Sequence, residues 1–175
     1  PDGVVFLGDY IYEYPGNTSK VRVPGGGWVL TLDEYRRRHA LYKSDANLQG
    51  MHAAAPWWVT WDDHEVQNDY AGTHAGDGGP PGWQGIDFAQ RRAAAYQAYY
   101  EHMPVRASAF ANALLTGQAG HLQMHAQFQF GNLASLCLLD TRQYRDPQVC
   151  TKEGKSGSGM VDPDQCATWD DPARS

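Results

Sequence analysis

Apolar, β-prone residues run together at two places in this chain, Val4-Val5-Phe6-Leu7 and Trp57-Trp58-Val59-Thr60-Trp61. Short continuous runs of this kind read as strands with both faces buried. Each stops abruptly at ionisable residues. The first gives way to Gly8-Asp9-Tyr10-Ile11-Tyr12-Glu13, and the second to Asp62-Asp63-His64-Glu65, followed by Asn68 and Asp69. Between the two runs the period changes to that of a helix. Thr31-Leu32-Asp33-Glu34 fits a capping box, in which the Thr and Glu side chains satisfy each other's free backbone N–H groups. The helix that follows reaches about residue 43, with Leu32, Tyr35, His39 and Tyr42 on one face and Arg36, Arg37 and Lys43 toward solvent. Asp45 caps a second helix that ends before Pro56. The order β, α, α, β places two sets of carboxylates at strand C-terminal ends, the edge at which open α/β sheets bind ligands.

Further along, residues 71–85 are rich in Gly and Pro, which oppose helix and central strand alike, so they form a loop beside the second acidic cluster. Helical spacing returns over 88–103, with Phe88, Arg92, Ala95, Tyr99 and His102 on one face and Pro104 as the stop. From 121 to 130 the pattern alternates, His121, Gln123, His125, Gln127 and Gln129 against Leu122, Met124, Ala126, Phe128 and Phe130, which predicts a half-exposed strand. Gly131-Asn132 suits a two-residue hairpin turn. A more buried strand then runs over 133–139 with Cys137 as a small buried hydrophobe, and ends at Asp140-Thr141-Arg142. Cys150 and Cys166 flank a Gly-, Ser- and Asp-rich loop within an insertion, 147–172. A disulfide would staple it and imply an oxidising compartment; two unpaired thiols are the other reading.

With 42% hydrophobic and 12% aromatic residues, the 175-residue chain is a globular composition, not a tail or linker. No apolar stretch is long enough to span a bilayer. A net charge of −6 argues against a nucleic-acid surface, since a groove for phosphate backbones is basic. The start at Pro1 and the polar stretch at 169–175 read as an internal piece of a longer protein, with 1–175 a partial catalytic domain.

Four stretches in order, Gly-Asp-Tyr-Ile-Tyr-Glu, Leu-Asp-Glu-Tyr-Arg-Arg-Arg-His, Trp-Asp-Asp-His-Glu-Val-Gln-Asn-Asp-Tyr and Leu-Leu-Asp-Thr-Arg-Gln-Tyr-Arg, resemble the PhoD family of alkaline phosphatases, within the calcineurin-like metallophosphoesterases. The resemblance runs from Pro1 to about Asp146. It implies an α/β (α+β) fold, a four-layer αββα sandwich of which this chain supplies part. It also implies metal-dependent hydrolysis of phosphate mono- or diesters.

Such hydrolysis needs the phosphoryl charge neutralised and a hydroxide made available near neutral pH, and a pair of cations supplies both. Asp9 is the candidate bridging carboxylate, because one carboxylate can offer an oxygen to each cation. The resemblance makes Tyr12 a ligand of a ferric ion whose neighbour is calcium; without it, Tyr12 reads as packing under the loop. By the same carry-over Asp63 lies where the superfamily has a metal-binding Asn, and His64 where a histidine stabilises the transition state or protonates the leaving group. Asn68 is a candidate calcium ligand and Asp69 a turn residue. Glu65 either fixes the His64 ring or is a solvated or capping carboxylate. Arg142 either holds a phosphate oxygen or forms a salt bridge with Asp140.

The other histidines carry less. His39 and His102 fall on helices as packing or surface residues, and His52 and His74 have no telling spacing. His121 and His125 share a strand face as a metal pair or, given the glutamines around them, as a solvated face. Ligands the family requires, an upstream Asp and Cys and late histidines, are not in this chain, so weak or no hydrolysis is expected of residues 1–175 alone. The substrate implied is a small-molecule or lipid phosphate ester. A phospholipase D-like diesterase and a non-catalytic calcium-binding remnant are the alternatives. Export by the twin-arginine route, to the envelope or outside, is also an implication of the family.

Overall fold

The computed structural model describes residues 1–16, 19, 25–77, 79–80, 87–109, 122–150 and 161–167. Strand β1 (Val4–Phe6) is followed by helices α1 (Leu32–Lys43) and α2 (Ala46–Ala54), strand β2 (Trp57–Val59), helix α3 (Phe88–His102) and the hairpin β3 (Ala126–Phe130) and β4 (Ala134–Leu138). A short 3-10 turn, Pro163–Gln165, lies beyond it. β1 and β2 pair in parallel, Val4 opposite Trp57 and Phe6 opposite Val59. The predicted β, α, α, β order is therefore present, and both acidic clusters leave the same edge of one sheet.

Local chemistry accounts for the helices. Thr31 and Glu34 form the expected capping box, Glu34 accepting the Thr31 N–H at 2.9 Å. Asp45 accepts the Asn47 and Leu48 N–H groups and starts α2. α1 packs along α3. Tyr35 and His39 of α1 and Phe88, Ala95 and Tyr99 of α3 face inward, as their spacing requires. On the outer side Arg36 forks onto Glu101 with two contacts of 2.6 Å, which pull that carboxyl down to about 2.

The centre of the molecule is aromatic. Trp61 stacks on Tyr96 at 4.2 Å, and Tyr10, Tyr35, Tyr70 and Tyr99 close around it. Arg91, fully buried within it, donates to the Tyr35 hydroxyl and the Val29 carbonyl, both at 3.0 Å. Cys150 and Cys166 are bridged, with Cα atoms 5.6 Å apart.

The second half departs from the sequence pattern. β2 stops at Val59, because Trp61 turns into the aromatic core and the chain bends toward the acidic cluster. β3 begins at Ala126; residues 122–125 are not strand, and His121 and most of the 147–172 insertion lie outside the described residues. The hairpin loop has three residues, since Phe130 pairs with Ala134 and Gly131 has a φ of 55°. Leu133 therefore sits in the loop, 92% exposed. β4 is mostly exposed, and so is Cys137, because among the described residues no element packs on that face.

His39 is wholly buried beneath Tyr10, His102 and Tyr99, with neither ring nitrogen hydrogen-bonded. Burial, helped by the nearby His102 and Lys43, pushes it down to about 3 from 6.5. On acidification the unfolded chain takes up this proton first, so the stability held above about pH 6.5 is lost as pH falls toward 3, at a slope on the order of 1 kcal/mol per pH unit. The expected outcome is a thermal midpoint that falls between pH 7 and pH 5 and falls visibly less in His39→Phe, which keeps a ring but cannot titrate. Equal falls in both proteins would show that His39 is not the group responsible.

Candidate metal centre

Two tight turns bring the acidic clusters together. Gly8 has a φ of 114°, and a Cβ there would lie 2.3 Å from the Asp62 backbone nitrogen, so only glycine lets the end of β1 approach the end of β2 this closely. Asp9 follows with a φ of 55°, a strained left-handed conformation for a non-glycine residue. The turn is held from inside by Glu65. Its buried carboxylate accepts the Tyr10 N–H and, at 2.8 Å, the Asp62 N–H. Burial drives the Glu65 carboxyl up to about 7, against these two donors.

The result is a cluster in which one ligand atom each of Asp9, Asp63 and His64 lies within 4.8 Å of the others. The Tyr12 hydroxyl donates to Asp9 Oδ2 at 3.4 Å. Asp9 Oδ1 is buried without a hydrogen-bond partner among the described residues. Burial and the charges of Asp63 and Asp62 raise the Asp9 carboxyl, with His64 opposing. Burial, then the Asp9 charge, pushes the Tyr12 phenol up to about 12. Crowded carboxylates, an orphaned buried oxygen and a nearby phenol form a hard donor set that a cation would complete.

His64 is oriented by a residue to which the sequence reading gives no role. Its Nδ1 meets Glu13 Oε2 at 2.8 Å, which leaves Nε2 as the ring atom available to the site. Burial pulls the imidazole down, but the Glu13 hydrogen bond and the Glu13, Asp63 and Asp9 charges outweigh it, and the net shift is upward. The other Glu13 oxygen accepts the Asn68 N–H at 2.7 Å, and Glu13 is fully buried. Of the two readings of Glu65, the capping one holds: it touches backbone N–H groups, and Glu13 holds the ring. The available signal was position, since Glu13 lies two residues beyond buried Ile11 in the same strand-end motif.

Asn68 reaches the cluster through its backbone; its side-chain amide donates to Asp69 at 2.9 Å. Asp69, with a φ of 59°, is the turn residue expected, and its N–H donates to Asp63 Oδ2 at 2.7 Å. Arg142 is paired, but not with Asp140. Its Nε lies 2.5 Å from Asp62 and its Nη2 3.2 Å from Asp63, whereas Asp140 accepts the backbone N–H groups of Arg142 and Gln143 and so shapes the turn that aims the side chain. Arg142 Nη1 is buried and has no partner among the described residues. His125 stands apart from this cluster, edge-on to Tyr144.

The chain's likeness to known proteins agrees with this geometry. It is 52% identical over 154 residues to alkaline phosphatase D of Bacillus subtilis (strain 168), covering 85% of this chain and 24% of that protein. A solved structure described as that of PhoD superposes with a TM-score of 0.71 at 50% identity, covering 83% of this chain and 27% of the other. The chain thus spans about a quarter of the length of either. The model of the PhoD-like phosphatases matches residues 1–175, and the chain belongs to that family.

Proposed function

We propose that this chain carries one side of a metal-dependent centre that hydrolyses phosphoric mono- or diesters. The observation behind it is the convergence of Asp9, Asp63 and His64 within 4.8 Å around a partnerless carboxylate oxygen, beside an arginine with a free buried Nη1. Asp9 and Tyr12 would hold a ferric ion, and Asp9, Asp63 and the side-chain oxygen of Asn68 calcium. Bound there, the cations would neutralise phosphoryl charge and make water a competent nucleophile near neutral pH. A four-layer sandwich belongs to the same reading, supported by the parallel β1–β2 pair and the separate β3–β4 hairpin. The disulfide supports an oxidising compartment and hence export.

The chain's own residues divide the remaining work. Arg142 is kept protonated by Asp62 and Asp63, and its unused Nη1–H can donate to a phosphoryl oxygen. His64, its ring held through Nδ1 by Glu13, presents Nε2 to the ester; protonated, it donates to the departing alkoxide. Glu13 stabilises the charged imidazole and fixes its orientation.

Activity is tested on the metal-loaded full-length protein with nitrophenyl phosphate and bis(nitrophenyl) phosphate, and turnover of either that a chelator abolishes is expected. Absence of turnover on both would sink the hydrolase reading. Metal analysis should find iron with calcium and a visible tyrosinate absorption that Tyr12→Phe removes. Calcium alone, without colour, would instead favour a binding domain. In Glu13→Gln, which keeps the size but not the charge, kcat is expected to fall roughly 10- to 100-fold with metal content unchanged. An undiminished kcat would remove Glu13 from the account.

A further inference from the structure

His64 borders not only carboxylates but also a line of aromatic rings. The Tyr12 ring lies 4.4 Å from the imidazole and the Tyr14 ring 5.4 Å from it. Tyr12 and Tyr14 meet edge-on at 5.5 Å, and Tyr14 meets Trp28 at 6.5 Å. These rings differ from those of the core. Tyr35, Tyr70 and Tyr99 are at most 1% exposed, whereas Tyr12, Tyr14 and Trp28 keep part of their surface open.

The backbone beneath the rings is nonetheless tied down. Val29 donates its N–H to the Glu13 carbonyl at 2.8 Å, joining the segment that carries Trp28 to the one that carries Tyr12 and Tyr14. Arg38 reinforces the join from α1. Only 4% exposed, it donates to the carbonyls of Tyr12, Tyr14 (3.0 Å) and Gly27 (2.5 Å). A buried guanidinium spent on three backbone carbonyls fixes both segments while their rings remain partly open. Open rings on a fixed backbone form a preorganised surface for a ligand, since little freedom is left to lose on binding.

We propose that Tyr14 and Trp28 form the subsite for the organic group of the ester, and that it takes a flat aromatic group in preference to a small polar one. This rests on the hydrolase reading above. Arg142 reaches the cluster through Asp62 and Asp63, and the rings reach it through His64, so an ester has its anionic part toward the arginine and its organic part toward the rings. His64 then stands between phosphoryl group and wall, where a leaving oxygen would be. Stacking on partly buried rings favours a π-faced group over an alkyl chain, which gains area burial alone.

Two measurements on the metal-loaded full-length protein test this. In turnover, Trp28→Ala should raise KM for 1-naphthyl phosphate about tenfold and change KM for glycerol phosphate less than twofold. Trp28→Phe should restore most of the loss. In binding, which needs no turnover, 1-naphthylmethylphosphonate should bind the parent about tenfold more tightly than methylphosphonate, and Trp28→Ala should erase the difference. Equal binding of the two phosphonates by the parent, or a ratio untouched by Trp28→Ala, overturns the subsite. A decyl phosphonate that matches the naphthyl compound in affinity and in sensitivity to Trp28→Ala would replace the aromatic preference with a general apolar one. A parent that binds with the expected ratio but hydrolyses nothing leaves the subsite standing and removes the hydrolase reading.

Discussion

The buried Glu65 carboxylate, accepting one N–H from the loop after β1 and one from the loop after β2, is the constraint on which the rest of the site depends. The two strands are only three residues each, too short to set the spacing of their ends by ladder hydrogen bonds alone. With Glu65 between them, Tyr10 and Asp62 are held at one distance, and Asp9 and Asp63 on either side inherit it. The glycine at position 8 is the steric counterpart, because any side chain there would meet the Asp62 backbone. Burying such a carboxylate is costly, and burial raises its pKa to about 7 in spite of the two N–H donors. A structure bears it where the position of neighbouring groups matters more than stability.

Glu13 repeats the same device one layer closer to the chemistry. It spends one oxygen on His64 and the other on the Asn68 N–H, so the imidazole and the turn beyond β2 are set by a single buried anion. Three more carboxylates, Asp9, Asp62 and Asp63, lie around the same point, and Arg142 is the cation the described chain sets among them. Its charge is engaged with Asp62 and Asp63, while Asp9 retains a buried oxygen without a partner. That residual negative potential is the physical case for a bound cation, independent of any likeness to other proteins.

Much of the fold was legible because it is encoded locally. A capping box, an Asp before a helix and a proline after it are signals within a few residues, and α1, α2 and α3 fall where these place them. The paired strand ends were legible from apolar runs that break into acids. The hairpin shows the limit. Its residues alternate correctly, but burial of Cys137 and Leu133 depends on what packs above them, and the pattern of a strand carries no information about its neighbours. Site residues divide the same way. Asp9 is marked by its place at a strand end, and Asp63 and His64 by the motif that resembles the family's, whereas the partner of Arg142 lies 80 positions away and only tertiary structure selects Asp62 over nearby Asp140. Glu13 was hidden because a buried positioning acid and a solvated one have the same letter.

The two sides of the centre also differ in what they can recognise. Toward Arg142 the groups are charged and directional, suited to the fixed shape of a phosphoryl group, which every ester of the class shares. Toward Tyr14 and Trp28 they are broad, partly open and free of formal charge, suited to the part in which one ester differs from another. His64 belongs to both sides, joined to Glu13 by a hydrogen bond and to Tyr12 and Tyr14 by ring contact. In the hydrolysis proposed above, a group that acts at the bond between phosphorus and the leaving oxygen would lie on that boundary. Arg38, by holding the carbonyls of Tyr12, Tyr14 and Gly27, keeps the segments that carry these rings aligned with the acidic cluster.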